Sequence, residues 1–323
     1  LKGPGATNFL NWFTCNKLPK VGRINLTYAL TDHGTTRTEY TIVRQGENSY
    51  YLVSAGAWSS YDGDYLRKAA EDKMEEFGYI EIHDVTSQWG VFAIAGPKSR
   101  DLLKSVLNDA DVESALSNKR FPWLSAKTIE IGMCPVNAIR VAYTGELGWE
   151  LHHPIEMQNY LWDRLLLAGS DYGLKLVGAR AQNWLRQEKS YRAFGTELGR
   201  DATPLEADLS RFIDLEKEFF GKQKMETTGV RAKCVTVLIN GPDDADPWGR
   251  EALYLEDGTK VGRLTSGGYS VVFGKSIGMG YIRPDLAQEG QKLKVKMFNS
   301  FWDAEVTCDS PYDPKNETIR KDG

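Results

Sequence analysis

Ala142-Tyr-Thr-Gly-Glu-Leu-Gly-Trp-Glu-Leu151 is the most informative stretch of this 323-residue chain. It continues a strand that begins at Val136, turns at Thr144-Gly145, and resumes as a strand from Gly148 to His152. Two glycines in a strand–turn–strand let the backbone come close to something flat or bulky. Glu146 and Glu150 flank them. Taken locally, this is an ordinary turn with solvated acids. The alternative is that Glu150 faces a pocket. A carboxylate is acceptor-only and binds two parallel N–H donors at once, which suits an amine-rich heterocycle such as a pterin ring.

Working outward, the spacing of Phe9, Leu10 and Phe13 predicts a helix over 6–13 with a buried stripe, and Thr7 is placed to cap it. Ile24–Leu30 and Arg37–Arg44 read as two strands of a hairpin around Thr31-Asp-His-Gly34. On the second strand, alternation puts Arg37, Glu39, Thr41 and Val43 on one face and Thr38, Tyr40, Ile42 and Arg44 on the other. A strand at 49–54, an amphipathic helix at 65–77, a strand within 85–95 and a helix after Pro97 suggest a small α+β unit. Helices are expected at 155–168 and 177–191. From about residue 229 the texture is all-β, with a hairpin signal at Glu256-Asp-Gly-Thr259.

Composition narrows the function classes. Charged residues make up 26% and hydrophobic residues 41%, as in a folded globular chain. No apolar run reaches the ~18 residues of a membrane-spanning helix, so no membrane partner is expected. The net charge of −4 argues against a nucleic-acid surface. Four cysteines are scattered without Cys-x-x-Cys and four histidines are dispersed, so no metal site is expected. Scattered thiols fit a reducing compartment. Leu1 opens the chain without a methionine, which reads as a piece of a longer polypeptide.

Three further features bear on chemistry. Glu39 stands alone in mid-strand. It is either part of a solvated face or a carboxylate held in a pocket, where desolvation raises its pKa and lets it shuttle a proton. Arg180 and Arg186 are six residues apart on one predicted helix and do not share a face. At most one faces a ligand, and the other ties down a loop by ion pairing. Thr265-Ser-Gly-Gly-Tyr-Ser…Gly-Lys-Ser-Ile-Gly-Met-Gly280 contains Gly-Lys-Ser, but Tyr269 stands where a P-loop needs glycine and no helix follows. Its glycines are expected to serve tight turns and close packing of the β module.

Together these runs resemble the aminomethyltransferase (glycine-cleavage T-protein) superfamily. The matching stretches, in order, are Phe92-Ala-Ile-Ala-Gly-Pro97, Tyr143 to Leu151, Ala202-Thr-Pro-Leu-Glu-Ala207, Phe220-Gly-Lys-Gln223 and Thr265 to Tyr281. The Glu-Leu-Gly-Trp-Glu-Leu version, Val21-Gly and Leu30-Thr31 are most similar to the folate-binding C-terminal half of dimethylglycine and sarcosine dehydrogenases. The resemblance implies an α+β fold: a three-lobed ring of two α+β lobes and a C-terminal β-barrel or jelly-roll-like module. Lobe one would comprise 1–45 plus 131–228, the inserted lobe two 46–130, and the β module 229–323. It also implies tetrahydrofolate as the bound group, with Glu39 as the catalytic acid and Tyr143, Glu150 and Arg180 binding the folate. FAD would lie on an upstream oxidase domain or partner, acting on a small N-methyl amine, in the cytoplasm or the mitochondrial matrix. The expected reaction is capture of the oxidised methyl carbon as 5,10-methylenetetrahydrofolate. The alternatives are transfer of an intact methyl group to give 5-methyltetrahydrofolate, a non-catalytic folate-binding module, and a purely structural domain.

Overall fold

Three antiparallel strands, β1 (Ile24–Leu30), β2 (Thr36–Gly46) and β3 (Ser49–Val53), form the first sheet of the computed structural model, which describes residues 1–242 and 244–322. Tyr40, Ile42 and Tyr50 bury one face of this sheet against α1 (Ala6–Phe13) and α2 (Ser59–Phe77). Phe9, Leu10 and Phe13 fill that core, as the helical spacing predicts. Thr7 does not cap α1. Gly5 holds the N-cap position, and the Thr7 hydroxyl instead meets Asn48 Oδ1 at 2.7 Å and Tyr50 OH at 2.8 Å.

The opposite face carries Ile24, Tyr28, Glu39, Val43 and Tyr51, which the register aligns across the three strands. Alternation fails at one place. Ala29 pairs with Thr38 and Leu30 with Thr36, so Arg37 is an extra residue. A bulge of this kind re-aims its side chain. The Arg37 guanidinium lies 3.1 Å from the Tyr61 ring centroid and 3.4 Å from Asp62, both on α2, away from the face expected for it beside Glu39.

A second sheet joins β4 (Trp89–Ala95), β5 (Ala126–Ile131), β6 (Cys134–Ile139) and β7 (Gly148–Pro154) in the order β4-β7-β6-β5. One face packs Trp149, Leu151, Ile131 and Val136 with α3 (Ser99–Val106) and α5 (Gln158–Tyr172), while the short α4 (Val112–Ala115) adds Ala115 to the buried set. The other face meets the first sheet, where Ile139 packs on Ile24 and Val43. The two sheets therefore lie face to face, each backed by helices.

The expected division into 1–45 plus 131–228 and 46–130 does not follow these sheets. β3, placed in the insert, pairs with β2, while β4 and β5 pair with β7 and β6 from beyond residue 131. Strand pairing joins segments distant along the chain, and local texture does not reveal which ones.

α6 (Ala179–Glu188) and α7 (Lys222–Thr228) lead into the C-terminal module. There β8 (Lys233–Ile239), β9 (Ala252–Tyr254), β10 (Lys260–Ser270), β11 (Lys275–Ile282), β12 (Lys292–Met297) and β13 (Ser300–Thr307) close into a barrel, β10-β11-β8-β13-β12-β9. Closure removes free strand edges. Val237, Ile239, Leu253 and Val295 fill its centre. The glycine-rich run lies on β10 and β11, and a methyl group at Gly268 would collide with the Trp184 ring of α6.

After β13 the chain runs back past the loop after α6 and along the second sheet's unit to α8 (Glu317–Arg320). Asp309 takes Arg192 at 2.7 Å, Tyr312 donates to Glu146 at 2.7 Å, and the carbonyls of Asp313 and Ile319 accept from Lys189 and Arg140. No helix among the described residues is long and apolar enough to cross a membrane.

Gly268→Ala is expected to destabilise the protein by about 2 kcal/mol through overpacking against Trp184. Gly56→Ala, where a methyl group meets open space, should change stability by less than about 1 kcal/mol. Urea unfolding midpoints of the two variants test this.

Candidate functional site

The hairpin register puts Tyr28 directly across from Glu39, so the two side chains share one face of the first sheet. Tyr28 is buried among Leu30, Leu198, Leu209 and Phe212, and Glu39 on the same face is half-buried. Burial pushes the Glu39 carboxyl up to about 7, and the neighbouring Tyr28 hydroxyl pulls weakly the other way. Burial, and then the Glu39 charge, lift the Tyr28 phenol well above the ordinary tyrosine range. An acid that ionises near neutrality inside a protein is suited to moving protons.

Tyr143 enters the same neighbourhood from the turn before β7. Its hydroxyl donates to the Arg192 carbonyl at 2.9 Å, and its ring stacks on Tyr191 with centroids 5.8 Å apart. Burial raises its phenol, Arg186 opposes the rise, and Glu39 adds to it. Glu39 and Tyr143 thus lie close enough for their charges to interact.

Glu150 sits at the centre of β7, paired with Ala93 of β4 and Ile139 of β6. Ile139 packs against the first sheet, so Glu150 shares the inner face. Its side chain keeps 30% exposure. His152, two residues on and on the same face, brings Nε2 within 3.2 Å of Glu150 Oε2. The imidazole Nδ1 lies 3.1 Å from the hydroxyl of Tyr51, on β3 of the facing sheet. Burial, then the Glu150 charge, push the Tyr51 phenol up to about 12.

The two arginines of α6 part company as their spacing requires. Arg186 is buried and holds Glu197 at 2.9 Å, tying down the loop after residue 190. Burial disfavours the Glu197 charge. Arg186 and the hydroxyls of Ser266, Thr265 and Thr196 outweigh it, and keep that carboxyl below its usual range. Arg180 is exposed at the start of α6, with its guanidinium 5.3 Å from the Trp184 ring. With Asn183, Trp184, Pro247 and Trp248 it lines a depression of about 240 Å³. Glu39, Tyr143 and Glu150 do not line it.

The glycines of 142–151 admit parts of the protein itself. Gly145 has φ +81° and abuts the Lys189 stem, while a methyl group at Gly148 would lie 2.7 Å from the Ile94 carbonyl. Glu146, readable as a solvated acid, accepts from Tyr312.

Four residues at or near the site escape a reading of the sequence alone: Tyr28, Tyr51, His152 and Glu197. Hairpin register points to Tyr28 once the bulge is known, and period-2 alternation from Glu150 points to His152. Tyr51 and Glu197 reach their places from remote segments that carry no local signal.

This arrangement can be set beside known proteins. The GCVT N-terminal domain family matches residues 1–217, and the glycine cleavage T-protein C-terminal barrel domain family matches residues 233–313. The chain belongs to the aminomethyltransferase, or glycine cleavage T-protein, family. It is 34% identical to the mitochondrial dimethylglycine dehydrogenase of Mus musculus over all of this chain and 37% of that protein. It is 30% identical to a probable aminomethyltransferase of Thermococcus kodakarensis, covering 97% of this chain and 84% of that one. The crystal structure of aminomethyltransferase T from Bartonella henselae superposes with a TM-score of 0.81 at 22% identity, over 97% of this chain and 83% of that chain, and so shows the same fold. The chain therefore has the expected α+β T-protein fold, with a closed barrel as its C-terminal module. It spans little more than a third of the mouse dehydrogenase.

The raised Glu39 pKa has a consequence for stability. An acid shifted from 4.5 to about 7 in the folded state favours folding most when protonated. Stability is therefore lost as pH rises from 4.5 to about 7, and the penalty stays constant above that. Glu39→Gln should be more stable than wild type at pH 8 by on the order of 2 kcal/mol, with the difference vanishing near pH 4. Thermal melts across this pH range measure it.

Proposed function

We propose that the chain transfers a one-carbon unit from the oxidised N-methyl group of a small amine, dimethylglycine- or sarcosine-like, to tetrahydrofolate, giving 5,10-methylenetetrahydrofolate. It would do so as the C-terminal part of an FAD-dependent dehydrogenase. The observation that carries this reading is Glu39: a half-buried carboxyl across from Tyr28, raised to about 7, with a second acceptor, Glu150, on the inner face of the other sheet. Family membership supports the reaction class. The partial coverage of the mouse dehydrogenase supports an oxidase portion outside this chain, where the FAD belongs.

The residues fit a reduced folate. Glu150 spends one lone pair on His152 and keeps the rest, with part of its surface open, for the N–H edge of a pterin. Tetrahydrofolate, when bound, supplies two amine nitrogens that can carry the incoming carbon. Glu39 accepts the proton lost as the second nitrogen becomes substituted, and its charge favours cationic character at the transferred carbon. Tyr28 limits the freedom of the Glu39 side chain from the opposite strand. Tyr143, anchored through Arg192, forms part of the pocket wall. Arg180 offers a cation beside exposed Trp248 for the anionic part of the ligand. The four free thiols suit a reducing compartment, the cytoplasm or the mitochondrial matrix.

Glu39→Gln in the full-length enzyme is expected to slow methylene transfer about 10²–10⁴-fold while calorimetric tetrahydrofolate affinity changes less than about threefold. Product analysis by oxidation level distinguishes 5,10-methylenetetrahydrofolate from a methyl product. Unchanged transfer in the variant would exclude Glu39 as the base and favour passive capture of formaldehyde.

A further inference from the structure

Glu150 does not stand alone on β7. Its Oε2 lies 3.2 Å from His152 Nε2, and His152 Nδ1 lies 3.1 Å from the Tyr51 hydroxyl. His152 is 1% exposed, and the Tyr51 ring meets it edge-on at 5.5 Å. A buried imidazole with both nitrogens engaged is locked in rotation. The chemistry also selects one tautomer. Tyr51 keeps its proton, since burial and the Glu150 charge both disfavour the phenolate. The carboxylate of Glu150 only accepts, so the ring proton sits on Nε2, directed at it, and Nδ1 accepts from the Tyr51 O–H. The opposite tautomer would turn the Nε2 lone pair towards a carboxylate oxygen, lone pair against lone pair.

We infer that Tyr51 and His152 form a relay that positions Glu150, holding its carboxylate in one orientation so that its remaining lone pairs meet two ligand N–H groups together. This rests on the proposed role of Glu150 in gripping the folate ring. A glutamate on an open strand has three rotatable bonds, and the relay removes their freedom before the ligand arrives. The relay also spans two sheets. Tyr51 comes from β3 and His152 from β7, so the grip on the ligand depends on how the sheets face each other. A ring presenting acceptors along that edge would be rejected, because the fixed carboxylate offers it only lone pairs.

The test uses the full-length enzyme, with tetrahydrofolate affinity by calorimetry and steady-state kinetics. His152→Phe should raise the KM and Kd for tetrahydrofolate about tenfold while kcat at saturating folate stays within about twofold, because Glu39 is untouched. His152→Gln, whose amide N–H can reach Glu150, should restore most of the affinity. Tyr51→Phe removes a single hydroxyl and should weaken binding about threefold, which keeps the inference testable should His152→Phe not fold. In a Glu150→Gln background, His152→Phe should cost nothing further. If Glu150→Gln itself leaves folate affinity unchanged, the underlying reading of Glu150 is wrong. If Glu150→Gln weakens binding but the His152 and Tyr51 variants match wild type, the relay is wrong. Equal losses from His152→Phe with and without Glu150 would make His152 a packing residue only.

Discussion

The partial withdrawal of the Glu39 carboxyl from water, beside buried Tyr28, is the constraint on which the rest depends. An ionised carboxylate with part of its hydration lost is costly, and here that cost moves proton release to about 7. The packing around it contributes: Tyr28 with Leu30, Leu198 and Leu209 on the same face, and α1 and α2 behind the sheet.

A second set of buried charges holds the remaining elements in place. Arg186 and Glu197 join α6 to the loop after it, and Ser266 and Thr265 bring β10 to the same carboxylate. Breaking such a pair leaves an uncompensated charge in the interior. The returning C-terminal segment acts similarly. It supplies carbonyls or carboxylates to Arg100, Arg140, Lys189 and Arg192, each of them buried. Trp149, the one tryptophan of β7, has the Arg100 and Arg140 guanidiniums 5.8 and 5.6 Å from its ring. β7 thus carries a cation-flanked core on one face and the Glu150 acceptor on the other.

Short-range physics made several parts of this legible beforehand. The spacing of Phe9, Leu10 and Phe13 identifies α1 because a 3.6-residue period is a local property. The same holds for the alternation that puts Glu39 with Val43 and apart from Tyr40. The angular separation of Arg180 and Arg186 follows from helix geometry alone, and they diverge as it requires, one buried in an ion pair and one exposed. The bulge at Arg37 was not legible, because an extra residue in a strand leaves the local composition unchanged. The use of Gly145 and Gly148 was not legible either. A glycine announces a close approach without saying whether a ligand or the protein's own Lys189 and β4 will make it.

By itself, then, the sequence determined the type of nearly every element and the membership of the T-protein family. These rest on near-neighbour periodicity and on runs of residues in fixed order. The tertiary structure decided which strands share a sheet, that Glu39 is half-buried and shifted, and that Tyr51 reaches His152 from another sheet. Those outcomes depend on desolvation and on contacts between segments about 100 residues apart, as with Tyr51 and His152. Neither quantity exists until the chain has closed on itself.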